Sequence, residues 1–92
     1  MPRYRMVVHG RVQGVGFRWT CLQNAKKNGL TGWVRNRADG AVELEVQGTD
    51  EAVATFSAGI RRGNGYSFID HIEMRPIGAK PLESTFQVLH ES

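Results

Sequence analysis

From Tyr4 to His9 the chain alternates: Tyr4, Met6 and Val8 fall on one side, Arg5, Val7 and His9 on the other. That is the two-residue period of a strand, and Gly10 closes it. Between Arg18 and Asn28 the period lengthens, and Trp19, Cys21, Leu22, Ala25 and Lys26 fit an amphipathic helix stopped by Gly29. A second strand is expected from Leu30 to Asn36, followed by the short connection Arg37-Ala38-Asp39-Gly40 with its Asp-Gly turn signal. The third strand has the clearest alternation. Val42, Leu44 and Val46 point one way and Glu43, Glu45 and Gln47 the other, so strands two and three are expected to form a hairpin with one buried and one wet face. Thr49 or Asp50 can cap a second helix whose apolar stripe is Val53, Phe56 and Ile60. Arg61 and Arg62 suit its negative end, and Gly63-Asn64-Gly65 stops it. A fourth strand runs from Phe68 to Arg75, before Pro76, and a short last one from Thr85 to His90.

The resulting order is β-α-β-β-α-β with a closing strand. It predicts a ferredoxin-like α+β sandwich: an antiparallel sheet, two helices on one face, and a short extra C-terminal strand. The first crossover should be right-handed. It brings the loop from Gly10 to Arg18 close to the far end of the second strand, at Asn36.

That loop carries the chemistry. The segment HGRVQGVGFR, His9 to Arg18, passes from strand to helix through Gly10, Gly14 and Gly16. A glycine-rich turn of this kind can aim successive N–H groups inward, beside the positive end of the helix dipole. The glycines alone are equally consistent with tight turns. Arg18 shifts the balance, because an arginine at a helix start is electrostatically poor unless an anion lies between it and the loop. Several known phosphate loops are excluded. The lysine and hydroxyl of a Walker-type loop are missing, and the spacing is not that of a dinucleotide fingerprint. A cysteine phosphatase needs its thiol before the loop, whereas Cys21 follows Arg18 and reads as a small buried packing residue. Asn36, taken alone, is an ordinary turn residue.

Composition narrows the partners. The 92 residues suit one domain, 1–92, with 40% hydrophobic and 23% charged residues. A net charge of +3 favours anions without choosing between nucleic acid and a small phosphorylated substrate. A single cysteine excludes an intrachain disulfide, and His9, His71 and His90 are too scattered in sequence to suggest a zinc site, so no metal and no cofactor are expected. No apolar run is long enough for a signal peptide or a membrane span, and a soluble cytoplasmic protein is the expectation. Asp39 reads as a turn former and Glu43 and Glu45 as a solvated strand face, while His71 and His90 carry no functional signal and the loose Gly63-Asn64-Gly65 stretch says nothing about chemistry.

VHGRVQGVGFR, Val8 to Arg18, and GWVRNRADGAVELEVQG, Gly32 to Gly48, resemble the two signatures of the acylphosphatase family, and the likeness extends over essentially the whole chain. The resemblance implies a hydrolase that splits a carboxyl–phosphate anhydride into a carboxylate and inorganic phosphate. It assigns phosphoryl binding to Arg18 and positioning of the attacking water to Asn36. The backbone amides of Gln13, Gly14, Val15, Gly16 and Phe17 would cradle the phosphoryl oxygens. No metal or other cofactor is implied. Gly16 sits at a variable signature position and is expected to leave the loop more flexible than a larger residue would. The implied partner is a small acyl phosphate, with no nucleic acid and no membrane, and the enzyme is expected to be a monomer.

Two other readings share the fold. An RNA-recognition-like module also has this element order, but it needs stacking aromatics on the central strands, where this chain has Glu43, Glu45 and Gln47. A non-catalytic anion-binding domain would keep the cradle without the enzyme, and the presence of both Arg18 and Asn36 argues against it. A domain cut from a larger carbamoyl-transfer protein is a further alternative to the standalone enzyme, which the complete span from Met1 favours.

Overall fold

The computed structural model describes residues 1–90. Its elements are β1 (Arg3–Arg11), α1 (Phe17–Lys27), β2 (Thr31–Asn36), β3 (Val42–Gln47), α2 (Asp50–Arg62), β4 (Phe68–Ile77) and β5 (Phe86–Val88). They build one five-stranded sheet in the order β4-β1-β3-β2-β5. β1 pairs antiparallel with β3 and β4, and β2 antiparallel with β3. This is the ferredoxin-like arrangement expected from the pattern, with one difference. β5 lies parallel to β2, so the sheet is mixed. The cause is directional: β4 ends beside Arg3, at the start of β1, and the segment after it crosses the sheet at that end before turning up along β2. No helix among the described residues is long and apolar enough to cross a membrane.

Register explains the core. Met6, Leu44 and Val34 form one row across β1, β3 and β2, each with no exposed surface. Phe17, Cys21 and Ala25 of α1, with Val53, Phe56 and Ile60 of α2, close over the same face. Truncating a side chain such as Leu44 to alanine would cost about 2–5 kcal/mol. The next row is Val8, Val42 and Asn36, which puts the asparagine at the sheet's end where β1 passes into the glycine loop. In α1 the core contact is Phe17, whereas Trp19, expected in the stripe, is 63% exposed.

The helix-free face departs most from the sequence reading. Glu43 and Gln47 are buried, and the half-buried Glu45 is paired, so this face is not simply solvated. Arg35 stands directly across from Glu43 and donates to Oε1 through Nη2 at 2.6 Å. Arg5 donates to the other oxygen through Nε at 2.6 Å. The Arg3 guanidinium, itself fully buried, pairs with Glu45 at 2.8 Å and with Glu83 at 2.7 Å. Gln47 exchanges two hydrogen bonds with the backbone of Lys80, fastening the crossing segment to the sheet. Arginines from neighbouring strands thus roof the carboxylates.

Local signals behave as the residues dictate. Thr49 caps α2, its Oγ1 accepting from the Ala52 N–H at 3.1 Å, with Asp50 and Glu51 in the first turn and Arg61 and Arg62 in the last. β4 continues through Pro76 to Ile77 instead of stopping before it. It lies on the edge of the sheet, where a residue without an N–H is tolerated.

Candidate active site

The loop between β1 and α1 is pinned at both ends by apolar anchors, Val12 and Phe17, each 1% exposed. Between them Gly14 and Gly16 adopt φ of 73° and 75°, the left-handed conformation that side chains disfavour. No neighbour crowds Gly14, so backbone geometry, not space, is what requires glycine there. Among the described residues no acceptor takes the N–H of Gly14, Val15 or Gly16. Gly16 is also the N-cap of α1, which has neither a side-chain cap nor an acidic residue in its first turn. Unpaired donors and an uncompensated dipole end therefore meet at one place.

Two side chains hold this loop from outside. Gln13 donates through Nε2 to the carbonyls of Arg37 and Ala41, at 2.7 and 2.9 Å, tying the loop to the hairpin that follows Asn36. Asn64 donates through Nδ2 to the Val15 carbonyl at 2.7 Å. Its Oδ1 accepts from the N–H groups of Tyr66 and Ser67, which fixes the amide orientation. Because a peptide unit is planar and trans, the Gly16 N–H points away from Asn64. The Gly63-Asn64-Gly65 stretch, which reads as loose and uninformative about chemistry in the sequence, is thus a brace for the loop. Sequence carries no sign of this contact, since it depends on how the end of α2 meets the loop.

Arg18 and Asn36, distant in sequence, line one cavity of about 360 Å³ together with Gly14 and Gly16. Trp19, Leu22 and Val88 give the cavity an apolar wall, and His90, which carried no signal in the sequence, also lines it. Arg18 donates from Nη1 to the Leu89 carbonyl at 3.2 Å and has no carboxylate partner among the described residues. Asn36 is 7% exposed on the helix-covered face, and its Oδ1 is buried without a hydrogen-bond partner. A buried, unsatisfied carbonyl of this kind costs about 1–3 kcal/mol and calls for a reason.

No thiol or hydroxyl side chain lines this cavity among the described residues, and His90 is its one imidazole. Cys21 is fully buried in the core, and burial pushes its thiol far up, which keeps it an inert packing group. His9 and His71, expected to be scattered, are in fact stacked with ring centroids 4.3 Å apart, on the other face of the sheet. The cavity therefore offers one cation, an array of backbone donors, one amide and one imidazole. Such a set can hold a tetrahedral anion and direct a water at it.

The acylphosphatase family model matches residues 4–88. An acylphosphatase of Nitratidesulfovibrio vulgaris is 46% identical over 90 residues, covering 96% of this chain and 90% of the relative. Another, from Geobacillus kaustophilus, is 39% identical over 92 residues, covering 100% and 98%. The crystal structure of acylphosphatase from Bacillus subtilis superimposes with a TM-score of 0.92 at 36% identity, covering 97% of this chain and 99% of that one. The likeness in sequence and in fold runs from the first strand to the last, over nearly the full length of each relative, and the chain belongs to the acylphosphatase family.

Proposed function

We propose that residues 1–92 act as one catalytic domain in which Arg18 and the backbone amides of Gln13, Gly14, Val15, Gly16 and Phe17 hold the phosphoryl group of an acyl phosphate, while Asn36 holds the attacking water. The overall reaction follows from family membership: the enzyme hydrolyses a small acyl phosphate to a carboxylate and inorganic phosphate. The roles rest chiefly on one observation. Asn36, whose amide oxygen is buried without a hydrogen-bond partner, and Arg18, which has no carboxylate partner among the described residues, line one cavity.

The chemistry asks little more of the protein. A carboxylate is a good leaving group and needs no general acid. Phosphoryl transfer through a loose transition state is governed by positioning and charge stabilisation. The amide of Asn36 cannot remove a proton, but its oxygen can accept a hydrogen bond from water and fix that water's direction. As the water oxygen bonds to phosphorus and the P–O bond to the carboxylate breaks, a phosphoryl oxygen of the substrate takes the proton. Arg18 and the loop amides face the charge on the equatorial oxygens. No metal or other cofactor has a role in this scheme. The same reading gives a monomeric cytoplasmic enzyme without a nucleic-acid partner.

Hydrolysis of benzoyl phosphate in the presence of a chelator, by the wild type and by Asn36→Ala, tests the proposal. Fast turnover that collapses in the variant is the expected result. A folded wild-type protein with no turnover would overturn the assignment and leave an anion-binding domain in its place.

A further inference from the structure

The helix-free face holds a second cluster that the hydrolytic site does not use. His9 of β1 lies opposite His71 of β4, and Val7 opposite Glu73. His71 and Glu73 are two residues apart on one strand and project to the same side. The two imidazoles stack with 11° between their planes, and His9 Nε2 lies 2.6 Å from Glu73 Oε2. One ligand atom from each of the three side chains falls within 4.8 Å of the others.

We infer that His9, His71 and Glu73 form a surface site for a divalent transition ion of the Zn²⁺, Cu²⁺ or Ni²⁺ kind, which staples the edge strand β4 to β1. The donor set decides the class of ion. Imidazole nitrogen with one carboxylate suits these borderline metals, whereas magnesium and calcium seek all-oxygen shells. Ligand bonds of about 2.0–2.2 Å put the donors of a common ion roughly 3–3.5 Å apart. The cluster reaches that spacing if His9 and Glu73 part slightly and the His71 ring turns out of the stack, because the in-plane lone pairs of two nearly parallel rings do not converge on one ion. His71 and Glu73 are exposed, so their side chains have room to make that move. The ion would take the place of the hydrogen now shared by His9 and Glu73, and the open face leaves its remaining positions to water.

The surroundings permit the added charge. Arg37, whose charge acts on Glu73, is paired with Asp39 at 2.9 Å, and of the two arginines that share a pocket with Glu73, Arg5 is bonded to Glu43 and Arg75 is exposed. The pairing between β1 and β4 shifts just beyond the cluster, between His9 and Gly10, leaving Asp70 unopposed. A bulge of this kind re-aims neighbouring side chains and is a common feature of functional sheet edges. The cluster lies on the opposite face from Asn36, so its ion takes no part in the hydrolytic step.

The test is calorimetric titration of the chelator-treated, dialysed protein with ZnCl₂, alongside His71→Ala, Glu73→Gln and, as a control, His90→Ala. One equivalent should bind saturably. Loss of a ligand should cost at least the roughly 10- to 100-fold in affinity that an outer-sphere partner alone is worth. Zn²⁺ should also raise the melting temperature of the wild type and not that of His71→Ala, because an ion that binds only the folded state stabilises it. On NMR, the His9 and His71 ring signals should move while those of His90 stay. Absence of saturable binding, or equal affinity in wild type and His71→Ala, would overturn the inference. So would loss of binding in His90→Ala alone.

Discussion

Asn64 fixes the orientation of the peptide that joins Val15 to Gly16, by donating to the Val15 carbonyl at 2.7 Å from the end of α2. On the proposed reading, in which the Gly16 N–H serves a phosphoryl oxygen, that donor is thereby aimed by a residue outside the loop. One such neutral hydrogen bond is worth about 0.5–1.5 kcal/mol net, or roughly 2- to 12-fold in an equilibrium. Asn64→Ala should therefore raise KM and the inhibition constant of inorganic phosphate several-fold, with a smaller fall in kcat. Steady-state kinetics with phosphate as inhibitor reads both. An unchanged phosphate constant would mean that the brace does not reach the cradle.

Arg18 and Asn36 should separate kinetically. In the proposed scheme the arginine's charge acts on bound phosphate and on the transition state alike, so Arg18→Ala should weaken phosphate inhibition and turnover together. Asn36→Ala should leave phosphate inhibition nearly intact and lower kcat by about 10²–10³, the usual cost of one well-aimed stabilising group. Comparable loss of phosphate affinity in both variants would contradict the division of labour.

Stability should fall on acidification through the roofed carboxylates. Burial pushes the Glu43 carboxyl up, but the hydrogen bonds from Arg35 and Arg5 outweigh it and hold the group below its ordinary 4.5. A depressed folded-state value means the unfolded chain takes up the proton first. The contribution of Glu43 is thus complete above 4.5 and is lost as the pH falls below it. Glu83, where burial is likewise outweighed by the hydrogen bonds and charge of Arg3, acts in the same window. Urea midpoints at about pH 7 and about pH 3.5 should differ more in the wild type than in Glu43→Gln, since only the ionised group carries the linkage. An equal drop in both proteins would place the acid sensitivity elsewhere.

Arg3 should be more costly to remove than an ordinary surface arginine. It is 1% exposed and bonds Glu45, Glu83 and Gln47 at once. Breaking a buried ion pair typically costs about 3–5 kcal/mol, while exposed pairs are worth about 0–1 kcal/mol. The Glu45 and Glu83 side chains keep 15% and 18% of their exposure, so Arg3→Ala should fall toward the lower end of the buried range. The denaturant midpoint of the variant checks this, and a shift no larger than that of Arg11→Ala would refute it.

Sequence displays what local periodicity controls. Val42, Leu44 and Val46 announce a half-buried strand, Thr49 and Gly63 bracket α2, and the glycine spacing before Arg18 announces the loop. The meeting of Arg18 with Asn36 in one cavity follows from element order alone. What sequence hides is set by register and by the route of the chain. Alternation assigns Glu43 to the wet face, and only the strand alignment reveals Arg35 and Arg5 on either side of it. His9 and His71 look scattered until β1 and β4 pair. Gln13, expected to contribute its backbone to the cradle, also ties the loop to the hairpin through its side chain. The exchange of Trp19 for Phe17 in the core reflects where α1 begins, which hydrophobic content alone does not set.

The continuation of β4 through Pro76 has a consequence for how these molecules behave when crowded. A ten-residue edge strand would ordinarily present a row of unpaired backbone groups, a template onto which a second chain could add. Here Pro76 removes one donor from that row, and the pairing shift beside His71 bends it. Asp70, Glu73 and Arg75 add exposed charge along its length. The opposite edge, β5, is only three residues long. Both margins of the sheet, among the described residues, are thus poor growth points for intermolecular β-structure, and a second copy would find no clean row of backbone donors and acceptors to extend.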